Sequence, residues 1–492
     1  MDVVGIPYFI SFNDVVIAPG VKMAIKPGVI VKFGSERDIH INGALEARGT
    51  TAQPIVFTSI QDDGHGGDTN GDGITSPEAG NWGGIRFNDS SIDNQSALEY
   101  CEIYYGGQNF RSEPSPLTIN GRINPRITQT TLASNKRNGI RLVEGTYNAP
   151  VLLDVVGIPY FIEFGDVVIA PGVKMAIKPG VIVKLGSERD LHINGALEAK
   201  GAVSQPIVFT SMQDDARGGD TNGDGETTPL AGNWGGVRFN DSVIDNQSAL
   251  EYCEFYYGGQ GFRSESSPLT VDPRIQPDMA TLTLADNKNN GIDLIGGTFN
   301  AHLFLETIGT PYTLRFGDIT VSQGTSMTIS PGVLVKFGSE RDLHIRGALI
   351  ANGTAESPII LTSMKDDANG GDTNGNDESI GLPGDWGGIK FYDTSDDQIT
   401  SLNFCRIAFG GQGFRSEPNP LVFEGASPKI QNTVISDSRS HGVNCGAMAS
   451  PDFGGGSHGS VGQNSFFGFL NNANKFAFYN DGAADIFAKM NY

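Results

Sequence analysis

Two stretches of this 492-residue chain carry side chains suited to holding a hard cation. Asp62-Asp63 precedes Asp68-Thr69-Asn70-Gly71-Asp72-Gly73, and Asp214-Asp215 precedes Asp220-Thr221-Asn222-Gly223-Asp224-Gly225. Oxygen donors at alternate positions, with glycines that permit a sharp turn, let one loop wrap an ion and offer side-chain and main-chain oxygens together, as calcium requires. The expected donors are Asp68, Asn70 and Asp72 in the first loop and Asp220, Asn222 and Asp224 in the second. Asp62, Asp63, Asp214, Asp215 and the main-chain oxygen of Ile74 or Glu226 would complete the shells. The twelfth loop position is Ala79 or Ala231 rather than Glu, and no helices flank it, so neither loop is an EF-hand. A third stretch reads Asp372-Thr373-Asn374-Gly375-Asn376-Asp377. There an amide replaces the third carboxylate, so Asp372, Asn374 and Asn376 should hold an ion less tightly or in another geometry. Graded loss across copies suits a stabilising ion better than a catalytic metal. The competing reading is an Asp/Asn/Gly surface turn without an ion.

A second group combines an aromatic, an arginine and a carboxylate in a glycine-flanked loop. Phe110, Arg111 and Glu113 lie in Gly106–Glu113, Phe262, Arg263 and Glu265 in Gly258–Glu265, and Phe414, Arg415 and Glu417 in Gly410–Glu417. Such a loop can stack on a sugar ring and hydrogen-bond its hydroxyls. The alternative is structural: the phenylalanines tuck under the loop, and Arg111 pairs with a carboxylate such as Glu36 or Asp38. A third motif, Gly34-Ser35-Glu36-Arg37-Asp38, recurs at Gly186–Asp190 and Gly338–Asp342. It reads either as acid/base chemistry on a uronic sugar or as a charged ladder fixing the corner between two strands. His40, His192 and His344 alternate with apolar neighbours, which puts their imidazoles on the surface. Cys101, Cys253 and Cys405 sit in apolar strand patterns and read as small buried hydrophobes. No residue is assigned a catalytic role or an organic cofactor.

Every one of these motifs is repeated at one spacing. Trp82, Trp234 and Trp386 stand 152 residues apart, as do the three cysteines and Arg111, Arg263 and Arg415. The boundaries fall at 2–153, 154–305 and 306–445, with closing coils over 446–492. The first two copies are nearly the same text, and the third has drifted. Within a copy, strand-length runs rich in β-branched residues, such as Val15–Ala18, Val21–Lys26 and Val29–Phe33, are punctuated by Pro-Gly or Gly. Helical spacing is absent. Short strands with turns too brief for crossover helices point to a β-solenoid, in which each strand stacks on its counterpart one turn later. With coils of about 22 residues and the loop from Asp62 to Gly80 bulging outside them, each copy should make roughly six coils and advance about 29 Å. That separation is too long for histidines of successive copies to share a metal, and three copies would form a rod of about 90–100 Å.

The strings Pro27–Gly34, Ile41–Thr50, Pro54–Ser59 and Trp82–Ile85 resemble the right-handed parallel β-helix proteins of the pectin-lyase-like superfamily, in particular secreted and surface-attached bacterial repeat proteins. The resemblance covers nearly the whole chain. Its tail, Asp452–Gly456, Gly462–Phe467 and Asn491-Tyr492, looks like the family's closing coils cut short. It implies the fold but no one activity, because the superfamily includes lyases, hydrolases, epimerases, adhesins and spacers.

Composition narrows the function. Gly (66) and Pro (25) together make about 18% of the chain, above the ~12% usual for soluble proteins, yet no Gly-X-Y period exists and apolar residues are well supplied. A formal charge of −22 repels a phosphate backbone, which excludes nucleic-acid binding, and disfavours polyanions not bridged by a divalent cation. No run approaches the ~18 to 20 apolar residues of a membrane helix, so no membrane span is expected. Met1–Phe12 has no basic start and no cleavage site and opens in mid-pattern, as an internal segment would. Four cysteines do not make a disulfide framework in a chain this long. Triplicated motifs suit a spacer or multivalent binder better than a single catalytic groove. The expectation is an extracellular or cell-surface β-helix rod, calcium-stabilised, acting as a structural, filament-forming or adhesive module with a polysaccharide or cell-surface partner or end-to-end self-association. A polysaccharide lyase acting on uronic-acid polymers and a multivalent glycan binder are the alternatives.

Overall fold

The structure is a computed structural model that describes residues 1–3, 5–275, 277–469 and 475–492. Its regular structure is almost wholly short β-strands; the helical turns among the described residues are Asp93–Gln95 and Asp245–Gln247. No helix among them is long and apolar enough to cross a membrane. The chain is a parallel β-solenoid. It divides into two compact units, Met1–Val237 with Ser242–Ser266, and Arg238–Asp241 with Ser267–Tyr492.

In the first unit the strands of the first repeat fall on three faces. The first face stacks Tyr8–Ile10, Ile30–Phe33, Ile55–Ser59, Cys101–Tyr104 and Thr131–Ala133. On the second lie Val15–Ile17, Ile39–Ile41, Ile85–Phe87, Leu117–Ile119 and Ile140–Leu142. The third carries Lys22–Ile25, Ala44–Arg48, Ala97–Glu99 and Arg126–Thr128. Pairing is parallel and in register, so Ile39, Ile85, Leu117 and Ile140 form one buried column. Apolar side chains at alternate positions point inward and meet their counterparts about 4.8 Å away, which makes the core continuous along the stack. Cys101, Cys253 and Cys405 lie in this core with their thiols pushed up to about 12 by burial, so they are inert hydrophobes as expected.

Two further strands, Gly145–Tyr147 and Val151–Leu153, bring the first repeat to sixteen. That is one strand more than five three-strand coils, and fewer coils than the six expected from an average coil length. The connection between Tyr104 and Leu117 accounts for part of the difference, since beyond the side loop it too takes up residues without adding a strand. The surplus strand has a geometric consequence. Tyr160–Ile162, the counterpart of Tyr8–Ile10, pairs with Ile140–Leu142 and so continues the second face rather than the first. Ile182–Leu185, Ile207–Ser211 and the C-terminal half of Ala249–Tyr256 follow it there. Each repeat therefore steps round by one face. Within the second unit the step recurs, for Tyr312–Leu314 pairs with Ile292–Leu294, the counterpart of Ile140–Leu142. Ser465–Phe467 and Phe478–Asn480 extend the same stacking past the drifted copy.

Corners bring backbone against backbone. A Cβ on Gly43 would stand 2.1 Å from the carbonyl oxygen of Val21, and on Gly195 2.0 Å from that of Val173. Gly43→Ala should therefore lower local stability by about 1–3 kcal/mol, read as faster amide exchange in Lys22–Ile25 and Ala44–Arg48 while Gly67→Ala, where a Cβ meets nothing but the backbone φ is +80°, changes exchange only in its own loop.

Candidate functional site

The chain passes from the first face to the second at residues 11–14, 34–38, 60–84, 105–116 and 134–139, so these connections stack on one corner. All three sequence motifs lie there, and in the second repeat they lie on the corner one face further round.

A buried carboxylate holds the corner. Asp14 Oδ1 accepts the N–H of Asp38 at 3.1 Å, and Asp38 Oδ1 accepts those of Gly84 at 2.8 Å and Glu113 at 3.1 Å. The bonds repeat from Asp166 through Asp190 to Gly236 and Glu265, and from Asp318 through Asp342 to Gly388 and Glu417, all at 2.8–3.0 Å. Burial pushes the carboxyls of Asp38 and Asp342 up to about 6 and that of Asp190 to about 7. The Gly83-Gly84 pair is required here, because a Cβ on Gly83 would stand 1.9 Å from Asp38 Oδ1. Trp82 is fully buried beneath the corner, its ring stacked on Phe33 at 4.3 Å and its Nε1 donating to the carbonyl of Tyr104 at 2.6 Å. The Ser-Glu-Arg-Asp turn thus serves as a corner clamp made with backbone amides and braced by an ion pair to the preceding coil, Arg37 with Asp14 at 3.7 Å, Arg189 with Asp166 at 3.9 Å and Arg341 with Asp318 at 3.3 Å.

The clamp presents the aromatic loop. Gln108 Oε1 accepts the N–H of Glu36 at 2.5 Å and Gln108 Nε2 donates to Ser35 Oγ at 2.8 Å; Gln260 and Gln412 do the same in their copies. Glu113 is buried and pairs with Arg86 at 3.1 Å, and the half-buried Glu417 pairs with Lys390 at 3.3 Å. Phe110, Phe262 and Phe414 are 60%, 61% and 58% exposed, so they do not tuck under the loop. Each is flanked by its arginine, with the guanidinium carbon 5.2 Å from the ring centroid in all three copies. Arg111, Arg263 and Arg415 hold φ of 53–54° and are exposed, and among the described residues they pair with neither the Glu36 nor the Asp38 position. The structural alternative fails because the clamp takes an amide from this loop, which turns the Phe and Arg side chains outward.

The side loop folds back over the outer surface of the first face. Lys32, pointing outward from Ile30–Phe33, is buried beneath it, with Nζ donating to the carbonyls of Asp62 at 2.8 Å and Gly67 at 2.6 Å. Lys184 binds Asp214 and Gly219 identically, and burial lowers its pKa to about 8. Asp62 Oδ2 accepts from Thr58 at 2.6 Å and meets His65 Nδ1 at 2.6 Å; Asp214 Oδ2 accepts from Thr210 at 2.6 Å and Arg217 at 3.0 Å. These two aspartates anchor the loop; Asp214 is not one of the three clustered carboxylates of its copy, and its Oδ1 is left buried without a partner.

The cluster itself is best formed in the second copy, where ligand atoms of Asp215, Asp220 and Asp224 lie within 4.8 Å of one another. Asp220 Oδ1 accepts the N–H of Gly223 at 2.6 Å and Oδ2 that of Gly225 at 3.1 Å, while Asn222 Nδ2 donates to Asp224 Oδ2 at 2.8 Å. Asp68, Asn70 and Asp72 repeat these bonds. Asp63, Asp215 and Asp367 each accept a backbone N–H on Oδ2, from Thr75, Thr227 and Ser379, and each leaves Oδ1 buried without a partner. Asn222 Oδ1 and Asn374 Oδ1 are likewise buried and unpartnered. Orphaned oxygens beside clustered carboxylates fit a hard cation of the calcium type. Asp372 accepts from Gly375 and Asp377, and Asn376 supplies no carboxylate, so the third loop is the poorer cage. Asp367 was legible from its alignment with Asp63 and Asp215, although the third loop's main motif directs attention away from it.

The second and third loops also dock on the preceding repeat. The N–H of Asn138 donates to the carbonyl of Thr221 at 2.9 Å and Arg137 to that of Asn222 at 3.2 Å; Asn290 donates to Thr373 at 3.0 Å. Sequence reading also misses the grouping of Asp14 with Asp38 and His40, repeated as Asp166, Asp190, His192 and Asp318, Asp342, His344. The signal was the recurrence of Asp14 at the repeat spacing.

The family model described as "Protein of unknown function (DUF1565)", a family associated with β-helix proteins, matches residues 315–491. Over 99 residues the chain is 34% identical to "Protein bark beetle" of Drosophila melanogaster, a match covering 20% of this chain and 3% of that protein. No solved structure matches the chain.

The raised clamp carboxyls set a pH dependence. Between the ordinary value of 3.8 and the raised values, the folded chain keeps protons that the unfolded chain has released, so stability falls as pH rises through that window. The melting temperature should be higher at pH 5 than at pH 8, with each clamp contributing on the order of 1–3 kcal/mol, and the triple variant Asp38→Asn, Asp190→Asn, Asp342→Asn should flatten the profile.

Proposed function

We propose that the chain is an extracellular or cell-surface, right-handed parallel β-helix module of the pectin-lyase-like type, stabilised by calcium in its side loops and acting as a multivalent adhesive scaffold. The observation that carries this reading is the recurrence of one exposed Phe–Arg pair on an identically clamped corner, kept even in the copy whose side loop has lost a carboxylate. Equivalent contacts at fixed spacing multiply avidity without any single contact being strong. Turnover gains nothing from three copies of one group. Of the Glu–Asp pair that could serve acid/base chemistry in each copy, the aspartate is spent on the fold, Asp38, Asp190 and Asp342 each holding backbone amides. The partner class that suits an exposed ring beside a guanidinium is a polysaccharide.

Asp215, Asp220, Asn222 and Asp224 would hold the ion in the second loop, with Asp63, Asp68, Asn70 and Asp72 in the first. A bound calcium would neutralise adjacent carboxylates there and stiffen the loop over Lys184 or Lys32. The chain should be retained on a polysaccharide array and release no unsaturated sugar from pectate or alginate; production of such ends would establish the lyase reading instead. Calcium titration by calorimetry should show binding that Asp215→Asn with Asp224→Asn weakens at least tenfold, and chelation should lower the melting temperature of the wild-type chain, because a ligand of the folded state stabilises it by mass action.

A further inference from the structure

The direction in which the Phe–Arg loops point bears on what they can grip. Phe110 emerges where the chain passes from the first face to the second, between Cys101–Tyr104 and Leu117–Ile119. Phe262 emerges after Ala249–Tyr256, whose C-terminal half lies on the second face. The two platforms in this unit are therefore displaced by one face of three, about a third of a turn, and by roughly five coils or about 26 Å along the stack. A polymer strand lying on Phe110 has to bend round a corner to reach Phe262.

The chemistry of each platform selects the ligand. The ring offers an apolar face of the size of a pyranose. The guanidinium beside it is exposed and enters no ion pair among the described residues, which leaves its paired N–H donors for a carboxylate. The area of one such pair is far below the roughly 800 Å² per partner of a stable protein–protein contact, so a folded protein is a poor occupant. The formal charge of −22 works against an anionic polymer lying along the flanks, but at physiological salt this repulsion is screened beyond about 8 Å. Point contacts at projecting arginines survive that balance, and lengthwise binding does not.

We propose that successive Phe–Arg loops grip separate strands of a carboxylated polysaccharide, so that the chain cross-links polymers instead of lying along one. The proposal rests on the adhesive reading above and adds to it the carboxylate and the cross-link.

The full chain is mixed with carboxymethyl dextran and, in parallel, with unmodified dextran, which has the same sugar backbone without carboxylates. Co-sedimentation reads binding, and multi-angle light scattering reads the number of polymers per complex. The expected result is binding to the carboxymethylated polymer alone, complexes holding two or more polymers, and a scattering maximum that declines when the chain is in excess. The triple variant Phe110→Ala, Phe262→Ala, Phe414→Ala changes only exposed rings; it should fold as the wild type and bind at least tenfold more weakly. Complexes holding one polymer at every ratio would overturn the cross-link and leave the adhesive reading standing. Equal binding to both polymers would overturn the carboxylate, and binding undiminished in the triple variant would overturn the site. Failure of the wild type to bind either polymer would overturn the proposal together with the polysaccharide reading beneath it.

Discussion

The corner carboxylate is the constraint on which the rest of this structure depends. Strands within a stack satisfy one another's backbone groups, but at a corner the chain leaves the ladder and its amides face other loops instead of strands. A buried N–H without an acceptor costs about 1–3 kcal/mol, and corners recur in every coil. Asp38 meets the need by accepting two amides from two later coils with one oxygen, after its own amide has been taken by Asp14. A column of four coils is thereby joined at its edge by side chains from only two. The cost is a carboxyl held in a desolvated place, visible in its raised pKa. An alanine at position 83 would occupy the space of the carboxylate, so the acid and the glycine pair form one device.

Much of the fold was legible because solenoid order is written in short range. Strand-length β-branched runs and Pro-Gly punctuation repeat locally, and inward and outward positions alternate with period two, so His40 reads as outward between Ile39 and Ile41. The phase between repeats was not legible. Counting residues gives an average coil, whereas the face on which Tyr160–Ile162 lands depends on whether a repeat has fifteen or sixteen strands. One strand hidden in a turn-rich run changes that answer. The exposure of Phe110 was also beyond sequence reading, because an aromatic in a glycine-rich loop has equal claim to the core and to solvent until the anchor of the loop is known. Here the anchor is an amide three residues away, on Glu113.

The side loops show how the same sequence letters divide into different jobs. Asp62-Asp63 reads as one acidic pair, yet its members face opposite demands. Asp62 turns inward to Thr58 and His65 and fixes the loop to its strand, while Asp63 turns toward the Asp68–Asp72 turn and keeps an oxygen without a partner. The residue that meets the first aspartate varies as His65, Arg217 and Asn369, three different donors to the same oxygen position. Drift is tolerated there because only a donor is needed. It is not seen at Lys32, Lys184 and Lys336, where one buried ammonium must reach loop carbonyls from the strand below.

This division places an electrostatic load on the loop. The buried lysine feels the charge of several aspartates of the loop, Asp214, Asp215 and Asp220 on Lys184 and Asp62, Asp63 and Asp68 on Lys32, and they outnumber it. Without a further cation, the orphaned oxygens of Asp215 and Asn222 would remain desolvated beside like charges, an arrangement that favours loop opening. The loop nevertheless makes its contacts with the preceding repeat through main-chain carbonyls of Thr221 and Asn222, which lie within the same turn as the cluster. Any cation that settles the carboxylates also fixes those carbonyls for Asn138 and Arg137. A cation bound there would tie the joining of one repeat to the next to that single turn.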